Sequence, residues 1–210
     1  MTESIRIVGV SGSLKAPSRT IALVDEIVAQ LATQLGAETT LIRVNELGPA
    51  FSGALTRAEL VPEVEAALIA IETADVLVVA SPVYRASFTG LFKHLFDFVD
   101  QYALVDTPIL LAATGGSERH ALIIEHQFRP LFAFFQALTL PVGVYAHDSD
   151  FTDYRISSPR LVDRLQKAVS KAIPLIQSHL VERAEIARTI AGEIPIPEPV
   201  DPRTPVRLLS

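Results

Sequence analysis

Five short apolar runs recur along this chain, each followed by a stretch of helical periodicity: IRIVGV (5–10), TLIRV (40–44), VLVVA (76–80), ILLAA (109–113) and VGVYA (142–146). Four are rich in β-branched residues, and most lack the alternation of a strand wetted on one side. That pattern suits strands buried on both faces of a parallel sheet. ILLAA would equally suit a buried helix; its spacing and the flanking Pro108 assign it to the sheet.

The intervening segments predict helices over 18–35, 62–74, 88–102, 118–139 and 158–180. In the first, Ile21, Leu23, Val24, Ile27, Val28 and Leu31 share one face, and Ser18 stands where a cap is needed. Pro62 and Pro159 fit first helical turns, with Ser158 as the cap before the latter. Strands and helices in strict alternation, joined by short connections, restrict the chain to an α/β domain with right-handed crossovers.

That domain is expected over residues 1–180, with 181–210 as a proline-rich C-terminal tail. Five of the 14 prolines lie between 192 and 210, and such a segment favours extended conformations over helix. A loosely draped tail and an arm reaching a second subunit both fit it.

Composition narrows the function. A formal net charge of −6 opposes general nucleic-acid binding, though not a local basic pocket. With no cysteine there is no disulfide, thiolate metal site or catalytic thiol, and no metal site is expected. The N-terminus shows no secretory pattern, and no run approaches the ~20 apolar residues of a membrane span. A cytoplasmic protein is the expectation.

In an open doubly wound sheet, ligands bind beyond the carboxyl ends of the strands, where strand order reverses. After the first run comes SGSLKAPSRT (11–20), which leads into a helix. The unpaired N–H groups of that helix start suit a phosphate. Ser11, Ser13, Ser18 and Thr20 add hydroxyls, and Arg19 or Lys15 adds positive charge. Neither GxGxxG nor GxxxxGK[ST] is present, so the dinucleotide fingerprint and the P-loop are both missing.

After the third run comes SPVYRASFTG (81–90), where Tyr84 can lie beside a flat ring while backbone groups of residues 82–85 meet its edge. After the fourth comes ATGGSERH (113–120), whose paired glycines admit a ligand close to the backbone. A helix cap, a surface tyrosine and a flexible turn would explain each loop separately. Together, on one sheet edge, they describe an FMN site in a flavodoxin-like, three-layer α/β/α fold with a five-stranded parallel sheet of order 2-1-3-4-5.

The segments GSLKAPSRT, SPVYRASFTGLFKHLFDF and ATGGSERHALIIEHQFRP, in that order, resemble the NAD(P)H-dependent FMN reductases of two-component alkanesulfonate monooxygenase systems, the methanesulfonate type above all. The resemblance spans about residues 4–180. It implies that FMN is reduced by NADH or NADPH and that reduced FMN leaves for a separate flavin-dependent monooxygenase in sulfonate-sulfur assimilation. It also implies a homodimer or homotetramer. Carried onto this chain, the phosphate residues are Ser11, Ser13, Ser18, Arg19 and Thr20. The ring meets Pro82, Val83, Tyr84 and Arg85 on one side and Thr114, Gly115, Gly116 and Ser117 at its pyrimidine edge. Lys15 stands where related reductases often carry arginine. The family can widen one helical turn after the paired glycines into a π-bulge, often at a tyrosine; the corresponding position here is His126.

Hydride transfer between nicotinamide and flavin is the cofactors' own chemistry. The protein's expected part is to stack the rings and stabilise charge on the reduced flavin through the backbone N–H groups of Gly115 and Gly116. No side-chain acid or base is expected, so His94, His147 and His179 receive no role; His120 is a possible flavin neighbour. Phe88, Phe92 and Phe96, and a second cluster of Phe128, Phe132, Phe134 and Phe135, fit both core packing and subunit contacts. Two other readings use the same loops: an FMN-retaining quinone or azo reductase, and a flavodoxin-like electron carrier without nicotinamide chemistry. A nucleotide-sensing module would leave the paired glycines unexplained.

Overall fold

Residues 4–192 are described by a computed structural model of the chain. Its elements alternate as the apolar runs require. Strand β1 (Arg6–Ser11) leads to α1 (Arg19–Leu35), β2 (Glu38–Arg43), α2 (Val44–Phe51), α3 (Pro62–Glu72) and β3 (Val76–Pro82). Then come α4 (Gly90–Asp97), β4 (Pro108–Gly115), a 3-10 turn (Glu118–His120), a π-helix (Ile124–Phe128) and α5 (Arg129–Phe134). Strands β5 (Leu138–Thr139) and β6 (Val144–His147), a small hairpin of β7 (Phe151–Thr152) and β8 (Arg155–Ile156), and α6 (Pro159–Ile190) complete the order.

The main sheet runs β2-β1-β3-β4-β5, and β6 also pairs with β4. All of these pairings are parallel. Strand β5 meets Pro108 and Ile109, and β6 meets Ala112 to Gly115, so the two are pieces of one fifth strand. The expected flavodoxin-like order 2-1-3-4-5 is therefore the observed one.

Alternation along the strands builds two cores. Val8, Val10, Leu77, Val79, Ile109 and Leu111 face one side, where they join Phe51, Leu68, Phe92, Phe96, Phe128 and Phe132 from the helices. Ile7, Val76, Val78, Leu110 and Ala112 alternate with them and are equally buried. Helix α1 buries Leu23, Val24, Ile27, Val28 and Leu31, the apolar face expected of it. It lies very close to β1 at Gly9: a Cβ there would fall 2.8 Å from both Val24 and Val28. Ser18 caps α1 by accepting the Thr20 and Ile21 N–H groups, and Gly36, at φ 64°, ends it in the left-handed conformation.

Four departures from the expected elements have local causes. A short helix, α2, occupies a stretch for which the sequence predicts no helix and takes in Val44 from the end of the second apolar run, with Phe51 buried under it. Helix α4 stops at Asp97 instead of 102, because the Asp100 carboxylate accepts the Tyr102 N–H and the Asp100 N–H donates to Glu72. The single helix expected over 118–139 is a 3-10 turn, a π-helix and a short α-helix, after which Gln136 turns the chain at φ 55°. Helix α6 continues to Ile190, well past 180.

Residues up to Ile176 make one compact unit, and a second begins at Gln177. Most of the proline-rich segment, residues 193–210, lies outside the described residues. Among the described residues no helix is long and apolar enough to cross a membrane.

Candidate functional site

The carboxyl ends of β1, β3 and β4 lie side by side, with Ser11 opposite Ala80 and Pro82 opposite Thr114. The loops leaving them are bound to one another. The Gly12 N–H donates to the Ala80 carbonyl at 2.7 Å. Thr89, the cap of α4, donates its hydroxyl to the Gly12 carbonyl at 2.8 Å and its N–H to Ser81 Oγ at 3.0 Å. Thr20 and Thr114, both buried, share a hydroxyl hydrogen bond of 2.6 Å. Each loop is thus fixed by polar contacts to another loop, which positions a ligand more rigidly than a free turn can.

These loops enclose a cleft walled by Ser13, Ser18, Arg19 and Thr20 at one end and by Pro82, Val83, Tyr84, Thr114, Gly115 and Gly116 at the other. Ser11, Arg85 and Ser117 stand outside its walls. Ser11 Oγ accepts the Ser13 N–H at 3.5 Å, so it shapes the first loop from within. Arg85 is at the tip of a tight turn closed by paired hydrogen bonds between Tyr84 and Ser87, with Arg85 and Ala86 both at positive φ. Ser117 caps the 3-10 turn by accepting the Arg119 N–H.

The fifth strand adds residues that sequence reading missed. Asp148 and Tyr154 also wall the cleft, together with Lys15 and Pro17. Asp148 opens a 3-10 turn directly after β6, and its Oδ1 lies 3.4 Å from Arg19 Nη1. Tyr154 occupies the tip of the β7–β8 hairpin at φ 62°, beside Asp153 at φ 48°. Non-glycine residues hold such backbone at a cost of about 1–3 kcal/mol each, and they cluster at functional sites. The Tyr154 ring centroid is 5.7 Å from the Arg19 guanidinium, within cation–π range. The signal for this loop was available: HDSD follows VGVYA at the same carboxyl edge as the other three loops.

Behind the paired glycines stands Tyr145, largely buried, whose hydroxyl donates to the Ser117 carbonyl at 2.6 Å. Burial raises its phenol above the ordinary tyrosine value, so the donor stays protonated at neutral pH. A Cβ on Gly115 would lie 2.5 Å from that hydroxyl, so no larger residue fits without displacing the phenol. The turn carrying Asp148 is also anchored: the buried Asp150 accepts the His147 N–H at 2.9 Å and pairs with Arg164 at 2.7 Å. Burial disfavours the Asp150 carboxylate, but the His147 N–H, the Ser158 hydroxyl and Arg164 outweigh it and hold its carboxyl below the usual range.

His120 and His126 are exposed. His126 lies inside the π-helix, at the widened turn expected there, and the neighbouring Gln127 accepts a hydrogen bond from Ser87 of the Tyr84 turn at 3.1 Å. The widened turn therefore touches the second loop of the cleft.

The donor set suits a phosphate monoester on a flat polar ring. One end offers hydroxyls, a guanidinium and a helix N-terminus; the other offers backbone without side chains. Comparison with known proteins agrees. Residues 5–152 match the family model described as NADPH-dependent FMN reductase. The chain is 51% identical over 187 residues to the NADH-dependent FMN reductase SfnF of Pseudomonas fluorescens, covering 89% of this chain and all of that protein. An oxidoreductase structure from Corynebacterium diphtheriae superposes with a TM-score of 0.75 at 32% identity, covering 83% of this chain and 98% of that one. A flavodoxin, WrbA-like protein from Agrobacterium tumefaciens, at 16% identity and a TM-score of 0.58 over 84% of this chain and 99% of its own, shares the fold.

Proposed function

The chain belongs to the NADPH-dependent FMN reductase family, and from that premise we propose that it reduces FMN with NADH or NADPH and releases the product to a separate flavin-dependent monooxygenase in sulfonate-sulfur assimilation. One observation carries the reading at this chain's own residues. The loops after β1, β3 and β4 converge on one cleft, with Arg19 and the α1 N-terminus at one end and the bare Gly115–Gly116 backbone at the other.

Bound FMN supplies the ring that accepts hydride from the nicotinamide. Ser13, Ser18, Arg19 and Thr20 would hold its phosphate, the Ser13 hydroxyl turning to it from the Lys15 carbonyl to which it donates, and Ser11 keeps the loop in shape. The Ser18 hydroxyl oxygen accepts two helix N–H groups, which leaves its proton to donate. Pro82, Val83 and Tyr84 line the ring, with Arg85 at the outer edge of that turn. The backbone of Gly115 and Gly116 would meet the pyrimidine edge and supply N–H donors to the reduced ring, while Thr114 and Ser117 fix the strand end and turn on either side. Tyr145 holds the Ser117 carbonyl and so the orientation of those peptides. No side chain needs to exchange a proton for the hydride step.

The same reading takes the protein as a cytoplasmic homodimer or homotetramer. The groove between α4 and α5, where Phe96, Val99, Leu131, Phe134 and Phe135 stand among Lys93, Asp97 and Gln101, supports the self-association, since Phe134 is 64% exposed. The reading takes either NADH or NADPH as donor, since the sequence carries no separate motif for a 2′-phosphate.

The test is NADH and NADPH oxidation by flavin-stripped protein as free FMN is raised. A rate that saturates with FMN and delivers free reduced flavin supports the two-component reductase. A rate needing only catalytic FMN and a quinone would replace it with the flavin-retaining enzyme. FMN binding with neither donor oxidised would leave an electron carrier.

A further inference from the structure

The Arg19 guanidinium is shared before any phosphate reaches it. Asp148 Oδ1 lies 3.4 Å from Nη1, and the Tyr154 ring lies against the same group. Both side chains of the ion pair keep about two-fifths of their surface in water, so a ligand can reach them. Asp148 is also near the paired glycines, its Oδ2 3.4 Å from where a Gly116 Cβ would stand. A negative charge therefore sits in the wall between the two ends of a cleft suited to an anionic ligand.

Its position is built into the fold. The turn begins at the end of β6, the His147 side chain accepts the Ser149 N–H, and the Asp150 carboxylate accepts the His147 N–H. Asp150 is buried and held in turn by Arg164 on α6. Asp148 cannot move away from Arg19 by more than a side-chain rotation without breaking this anchor.

We propose that Asp148 weakens the grip of the site on phosphorylated flavin by competing with the phosphate for Arg19, so that flavin exchanges faster. This inference rests on the FMN-site reading above. A phosphate dianion that engages Arg19 must share its positive charge with a carboxylate already paired to it, and then lies next to that carboxylate. Lys15, in the same wall, offsets part of the repulsion. Tyr154 keeps the guanidinium near both competitors. Exposed ion pairs are individually weak, so the effect is a tuning one, on the order of 2–5-fold in affinity. It acts only on a charged ligand. Riboflavin has the same ring and ribityl chain without the phosphate, and it separates the two contributions.

The experiment is fluorescence titration of FMN and of riboflavin against wild type, Asp148→Asn and Arg19→Ala, with stopped-flow FMN dissociation from the first two. The expected result is FMN binding about 2–5-fold tighter in Asp148→Asn, slower dissociation, and riboflavin affinity unchanged. Asp148→Ser repeats the test should the asparagine variant misfold, and it should move FMN in the same direction. The proposal is overturned if removal of the carboxylate weakens FMN, leaves it unchanged, or tightens riboflavin equally. Should wild type bind FMN no better than riboflavin, with Arg19→Ala affecting neither, the phosphate site itself is misassigned. Should Arg19→Ala selectively weaken FMN while Asp148→Asn does not tighten it, only the competition fails.

Discussion

The hydroxyls of Thr20 and Thr114 meet at 2.6 Å although 94 positions separate them, and both are largely buried in the wall of the cleft. The bond ties the first turn of α1, where a phosphate would bind, to the end of β4, where the paired glycines begin. Replacing either residue with valine keeps the shape and leaves the other hydroxyl buried without its partner. Such an orphan costs about 1–3 kcal/mol. Thr114→Val should therefore lower the urea midpoint and raise the KM for FMN, and Thr20→Val/Thr114→Val should be less destabilised than the sum of the singles. Strict additivity would mean that the two hydroxyls do not support each other.

Ser18 allows cap and ligand contact to be separated. Glycine is nearly as good a cap as serine, within a few tenths of a kcal/mol, whereas alanine costs about 1 kcal/mol. Ser18→Gly should leave thermal stability almost unchanged yet weaken FMN about tenfold, through loss of one hydrogen bond to a charged group. Equal FMN affinity in Ser18→Gly and wild type would reduce Ser18 to a helix cap.

Strands β1, β3 and β4 could be read from the sequence because they are buried on both faces and their apolar runs show it, whereas β2 is exposed over Glu38 to Leu41 and was legible only from its place in the alternation. The three loops could be read because strand ends in a doubly wound sheet share one edge. Asp148 escaped notice for a physical reason: a carboxylate in an acidic loop looks like solvated surface until the fold brings Arg19 to it from 129 positions away. Tyr154 was hidden similarly, since its place depends on two non-glycine residues holding left-handed backbone in Asp153–Tyr154, which sequence preferences argue against. The breakdown of 118–139 into three kinds of turn follows from one extra residue per turn at Ile124–Phe128, a change that leaves the apolar spacing nearly intact.

Gly115 is required by the neighbour behind it. Its added Cβ would lie 2.5 Å from the Tyr145 hydroxyl and 3.4 Å from the ring carbon bearing it. Gly115→Ala should push the phenol off the Ser117 carbonyl and cut kcat/KM for FMN reduction about 10–100-fold. Gly115→Ala/Tyr145→Phe removes the colliding atom and should recover part of the folding loss measured by urea denaturation. Failure of the phenylalanine to restore any stability would show that the Cβ acts elsewhere.

Phe134 offers a test of self-association. A side chain of this size left 64% exposed in a groove of mixed apolar and charged lining is a candidate contact between copies. Phe134→Asp should lower the mass measured by light scattering while leaving the monomer's circular dichroism intact. An unchanged mass would place the subunit contact, if there is one, on another face.

Asp150 makes the turn that carries Asp148 sensitive to acid. Its carboxyl titrates lower in the folded chain than the ordinary value near 3.9, because the His147 N–H, Ser158 and Arg164 favour the ionised form more than burial opposes it. A depressed folded value means that its stabilisation is complete above about pH 4, and is lost as the pH falls through the folded value. Asp150→Asn lacks this contribution at every pH. In urea titrations the variant should be less stable than wild type by about 1–3 kcal/mol at neutral pH. The difference should persist to about pH 5 and shrink below about pH 4, as the wild-type carboxyl takes up its proton. A gap of constant size down to about pH 3 would assign the effect to shape and not to charge. FMN affinity supplies a second readout: Asp150→Asn frees the turn that holds Asp148 near Arg19, so it should alter FMN binding more than riboflavin binding.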